Sequence, residues 1–192
     1  QIMAIEEEFP AGSGQYIRRE GYVEVAPYWA PQTTIKVCAF DAQTNERGVN
    51  SRGRSVDCTR QTAPECGCGP SLRHCVTGAV QTEIVSHMTD QLLNMADAIV
   101  DGDRPYSELI TGQDFKVNGP IVHYYRYLTN AGPNFVAASE NLGHTLPDIS
   151  FHQKEWVDVE VTTPLHSGIL TLPGFLLKFQ SNRARANRFY NA

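Results

Sequence analysis

The chain has 192 residues, 41% of them hydrophobic, and carries 16 Lys and Arg against 21 Asp and Glu for a net charge of -5. That length gives one domain or two small ones with a buried core. The acidic balance excludes generic nucleic-acid binding, which is driven by cationic attraction to phosphates. No apolar run reaches transmembrane length and no cationic, apolar leader is present, so neither a membrane span nor a retained signal peptide is expected. A soluble partner or small ligand fits better. Gln1 in place of an initiator Met points to processing or to an upstream part.

In chain order, the acidic trio Glu6-Glu7-Glu8 reads as a solvated face, and Gly12-Ser-Gly14 interrupts the chain after it. Tyr22 to Val25 and Thr33 to Phe40 are β-branched and aromatic runs set apart by Pro27 and Pro31, the pattern of two strands of a small sheet. Tyr28 and Trp29 between them are core aromatics or an exposed platform. Asp41 to Arg54 is polar and reads as a surface loop. The next stretch, Asp57 to Val76, holds four of the five cysteines and is too rich in Gly and Pro for helix or central strand.

Beyond it, Val80, Ile84, Met88, Leu92, Met95 and Ile99 recur at steps of three and four. That spacing predicts a core-facing helix from Thr77, its N-cap, to a stop at Gly102. A short helix is expected over Ser107 to Ile110. Another is expected over Gly119 to Leu128, with Pro120 in its first turn and Ile121, Tyr124, Tyr125 and Leu128 on one face. Trp156 to Val161 alternates as a strand with one wet face. Ile169 to Leu177 reads as a helix around Pro173, continued with a basic face by Lys178 to Arg188. The fold class is therefore α+β: a strand-rich region over 1-56, a Cys-rich loop over 57-76, and a mainly helical bundle with one further strand over 77-192.

Three chemistries compete for the cysteines. Five is an odd number, so at least one is unpaired within the chain. Disulfides among Cys38, Cys58, Cys66, Cys68 and Cys75 are preferred, because a Gly/Pro-rich loop of an exported chain needs staples. Cys66 and Cys68 are too close in sequence to pair with each other without straining the bridge. The alternative is zinc held by Cys66, Cys68 and Cys75, with His74 or Cys58 as fourth ligand. Covalent haem needs CxxCH, which is absent, so haem c would be held outside this segment. Among six histidines none has metal-ligand spacing, and His87 on the long helix is the candidate axial ligand. Asp101, Asp103 and Asp114 read as turn and helix-end residues. No serine sits in a nucleophile elbow, and no Gly-rich phosphate loop follows a strand.

The run Ala98-Ile-Val-Asp-Gly-Asp-Arg-Pro-Tyr-Ser-Glu-Leu-Ile-Thr-Gly112 is followed by Asp114-Phe-Lys-Val-Asn118 and Tyr124. With His166-Ser-Gly-Ile-Leu-Thr-Leu-Pro-Gly-Phe175, Asn182 and Arg183, it resembles the cytochrome-c-associated domains of planctomycete and myxobacterial exported proteins. The resemblance covers roughly residues 98-188 and keeps order and spacing across two motifs. It implies a context more than a reaction: a periplasmic or cell-surface domain of, or subunit partner to, a c-type cytochrome, serving electron transfer or a redox enzyme. It further implies a CxxCH segment beyond the second motif, hence a longer haem-bearing protein. Arg183 and Arg185, with Lys178 and Arg188, would then face haem propionates or an acidic partner. The competing expectation is a disulfide-stapled cell-surface structural or binding module without a redox centre.

Overall fold

The computed structural model describes residues 5–8, 16–19, 21–44, 47–49, 52–58, 66–128, 146–160 and 166–181. The chain divides into two compact units, Gln1–Val76 with Tyr127–Pro133, and Thr77–Arg126 with Asn134–Ala192. Small antiparallel sheets and helices make it an α+β protein.

Among the described residues, the first unit contains three two-stranded antiparallel ladders: β1 (Ile5–Glu8) with β2 (Tyr16–Arg19), β3 (Tyr22–Val25) with β4 (Ile35–Cys38), and β5 (Arg47–Val49) with β6 (Ser55–Asp57). The β3–β4 pair lies where the β-branched runs predict it. Tyr22 stands opposite Cys38 and Val25 opposite Ile35. The acidic trio is part of β1, and part of the polar segment read as a loop forms β5, which pairs with β6 just beyond that segment. Polar sequence conceals such short ladders.

The Cys-rich segment is tied to the residues that follow β3 and β4 through hydrogen bonds to Tyr28 and Asp41. Cys68 N–H donates to the Asp41 carbonyl at 2.7 Å and Tyr28 N–H to that of Ser71 at 3.0 Å, while the Tyr28 hydroxyl donates to the Cys75 carbonyl at 2.9 Å. Gly67 and Gly69 take positive φ, as do Ser71 and Leu72. Left-handed backbone costs a side-chain-bearing residue on the order of 1–2 kcal/mol, so this turn depends on being held. Two disulfides hold it, Cys58–Cys66 and Cys68–Cys75, with Cα atoms 5.3 and 5.0 Å apart.

The second unit is built on α1 (Gly78–Asp101), capped by Thr77, whose side chain accepts from Val80 N–H. After Gly102, Asp103 takes the left-handed turn that ends it. The buried row is Val80, Ile84, Met88, Gln91, Met95 and Ile99. Gln91 thus replaces the expected Leu92, which is half-buried. The physical reason is β7 (Asp114–Val117): the Gln91 amide donates to the Lys116 carbonyl at 2.8 Å, so a polar side chain is fully buried with a partner.

The helices differ from a simple bundle. α2 (Glu108–Thr111) is a single turn. α3 (Gly119–His123) starts at Asn118 and Pro120 as expected, then widens into a π turn over Tyr124–Leu128. The one expected strand, β8 (Val157–Glu160), pairs antiparallel with β7, Lys116 opposite Asp158. This second strand was hidden in a four-residue run. Pro173 splits the expected C-terminal helix into a 3-10 turn, Gly168–Thr171, and α4 (Pro173–Lys178), since proline suits only a first turn. α4 ends at Phe179 and does not continue through Ser181. Arg183, Arg185 and Arg188 lie outside the described residues.

The described stretch from His166 to Phe175 has a structural role. Thr171 Oγ1 accepts from Ser167 N–H at 3.1 Å and lies 2.8 Å from His166 Nδ1. Ser167 Oγ donates to the Ile110 carbonyl at 2.7 Å, and Gly168 N–H to that of Gly112 at 3.1 Å. Gly168, at φ +47, lies against the Leu109 and Ile110 backbone. These contacts fasten the 3-10 turn to α2. Arg126 does the same for residues 146–148, donating to Asp148 Oδ1 at 2.8 Å and to the Leu146 and Pro147 carbonyls at 3.1 Å.

Candidate functional site

His87 projects from the middle of α1, four residues before Gln91, with its side chain 18% exposed. Asn118, fully buried at the N-cap of α3, places its Nδ2 2.9 Å from His87 Nδ1. The Asn118 Oδ1 already accepts from Ile121 N–H at 3.4 Å, so the amide NH2 faces the imidazole. An NH2 can only donate, which makes Nδ1 the acceptor and puts the neutral ring's proton on Nε2. Trp156 approaches the ring edge-on, its centroid 6.2 Å away. Lys154, Glu83 and Asp90 complete the surroundings, Lys154 and Glu83 forming an ion pair and Asp90 lying 3.9 Å from Nδ1.

These groups keep His87 uncharged near neutrality. Its pKa falls below the ordinary 6.5, first through desolvation and then through repulsion by Lys154, with Asp90 and Glu83 opposing. A depressed histidine pKa means that the unfolded chain binds the proton more tightly. Stability is then full above 6.5 and declines as the pH falls through 6.5, levelling once the folded ring is protonated too. We expect urea midpoints measured between pH 7.5 and 5 to fall less steeply for His87→Gln than for the parent protein (roughly the titration range of an ordinary histidine). Equal slopes would remove His87 from the acid response.

Held in this way, His87 offers an Nε2–H donor to an acceptor oxygen. It does not offer a lone pair, so it fits neither general-base chemistry nor axial ligation of haem iron, which needs the proton on Nδ1 and an acceptor beside it. In this arrangement the candidate axial ligand and the haem do not match. Arg183 and Arg185, the other candidate cofactor contacts, lie outside the described residues.

In the first unit, Cys66, Cys68 and Cys75 of the candidate zinc set are each bonded to another sulfur, as is Cys58, while His74, the fourth member, faces Tyr127. Cys38 on β4 is the free cysteine. No group of three or more His, Cys, Asp or Glu side chains suited to a metal ion occurs among the described residues. His74 Nδ1–H donates to the Tyr127 carbonyl at 3.3 Å. Its pKa is lowered by desolvation and, in part, by Arg73, against that hydrogen bond. Arg73 lies over the Tyr127 ring at 5.4 Å and His74 meets its edge at 5.7 Å, a packed trio that fixes the ring in place.

The residues that define the His87 surroundings, Asn118, Gln91 and Trp156, did not stand out as site residues in the sequence. Asn118 was legible as the start of α3, but its second contact joins positions 31 apart. No helix among the described residues is long and apolar enough to cross a membrane. Compared with known proteins, no family model, no curated protein and no solved structure matches this chain.

Proposed function

We propose that this chain is an exported, disulfide-stapled binding module, periplasmic or on the cell surface, and that the assembly it serves is a c-type cytochrome or a haem-containing oxidoreductase. The observation that carries the first part is the pair of disulfides across a strained Gly/Pro turn, because such cross-links persist in oxidising compartments and are rare where thiols are kept reduced. The haem context rests on the resemblance of residues 98-188. On this reading the haem is held by another segment or subunit, and the contribution of this chain is recognition.

The test has two arms. Alkylation of the native protein under denaturing, non-reducing conditions should label Cys38 alone, and reduction should then expose the other four of the five cysteines. Five thiols reactive before reduction would sink the export claim. The native assembly, isolated through this chain, should show a Soret band. A haem-free assembly would leave the stapled module standing without its cytochrome partner.

A further inference from the structure

We infer that the outer face of α1 is a docking surface for an amphipathic helix of another protein that borders its own apolar row with Lys or Arg. Besides its core row, α1 carries Thr82, Val85, Thr89, Leu93, Ala96 and Val100. Steps of three and four, close to the 3.6-residue period, align them along one side of the helix. Leu93 and Val100 are both 59% exposed and Val85 is 45% exposed. The two threonines add little polarity, because their hydroxyls donate back to the helix, Thr82 to the Gly78 carbonyl at 2.9 Å and Thr89 to that of Val85 at 3.2 Å. Their methyl groups are left to face outward. The row spans roughly 27 Å at the helical rise per residue, and its steps of three and four match the anchor spacing of helix-in-groove recognition.

Charge selects the occupant. α1 holds four carboxylates, Glu83, Asp90, Asp97 and Asp101, and neither Lys nor Arg. By helical position Asp90, Asp97 and Asp101 border one side of the apolar row. A second copy laid on this face would bring carboxylates against carboxylates, and an anionic membrane would be repelled in the same way. A basic border on the incoming helix complements them. The inference goes beyond the cytochrome context and stands without it.

The test uses the full chain and three synthetic helical peptides of about 20 residues: a leucine row bordered by lysines, the same row bordered by glutamates, and the lysine peptide with serines in place of leucines. Fluorescence anisotropy should show saturable binding of the leucine–lysine peptide alone. Affinity should fall by about tenfold or more in Leu93→Ser/Val100→Ser, and should also fall in Asp97→Lys, a change at an exposed position that leaves the row intact. Absence of saturable binding, equal binding of the glutamate peptide, or an affinity unchanged in both variants would overturn the proposal. So would self-association of the parent chain that Leu93→Ser/Val100→Ser abolishes, or binding to anionic phospholipid vesicles through the same row.

Discussion

Met88→Ala is expected to lower the unfolding free energy of the second unit by about 2–5 kcal/mol, whereas Leu92→Ala should cost clearly less, about 1 kcal/mol. The two are four residues apart on α1 and equally apolar, so composition does not separate them. Burial does. Met88 is 2% exposed in the centre of the core row, flanked by Ile84 and Gln91. Truncating it leaves a void that fixed backbone cannot close: Gly174 of α4 already lies against the Met88 carbonyl. Leu92 is half-buried at the edge of the row beside Gly174, where solvent and neighbouring side chains can fill the space. Urea denaturation of both variants would decide it. Equal midpoints, or a larger loss for Leu92→Ala, would return Leu92 to the core and displace Gln91.

That contrast marks the limit of what periodicity could reveal. A row at steps of three and four runs through position 91 or 92 equally well, and hydrophobicity favours the leucine. Gln91 takes the place because the Lys116 carbonyl is there to accept its amide, and Lys116 lies on a strand whose partner is some 40 residues further on in the chain. Local signals were dependable for the helix boundaries, where Thr77, Asn118 and Pro120 act on their immediate neighbours. They were also dependable for β3 and β4, whose β-branched runs are close in sequence. They failed for β5, β6 and β7, three- and four-residue strands defined by a partner more than by their own side chains. The cysteines occupy a middle position. Sequence spacing excluded a Cys66–Cys68 bridge and required an odd thiol, yet the choice of Cys58 for Cys66 and of Cys75 for Cys68 depends on a turn with four positive φ values. The candidate site shows the same division. His87 could be named from its helix, whereas its tautomer depends on Asn118, which is oriented by its cap bond to Ile121.

Gly119→Ala should be more damaging than any propensity scale suggests. As the first residue of α3, Gly119 is a position where alanine would be favoured by about 1 kcal/mol on helix propensity alone. A methyl group there would meet the Ser150 carbonyl oxygen inside contact distance, with the Phe151 oxygen and carbonyl carbon only 2.6 and 2.7 Å away. All three are backbone atoms, so no rotamer change relieves the collision. Gly119 N–H also donates to the Gln153 carbonyl at 2.8 Å, and Gly119 follows Asn118, which caps α3 and orients His87. Separating the two segments would therefore loosen the cap and the histidine together. Such overpacking against fixed backbone should cost roughly 1–3 kcal/mol or more. Gly78→Ala is the matched control. It is also the first residue of a helix, it has open space around its would-be Cβ, and alanine there should stabilise by about 0.4–1 kcal/mol. The measurement is the urea midpoint of each variant, together with the His87 ring signals by NMR. A Gly119→Ala protein as stable as its parent would mean that α3 is free to move away from the Ser150–Phe151 backbone, and that the packing which orients Asn118 toward His87 is not fixed.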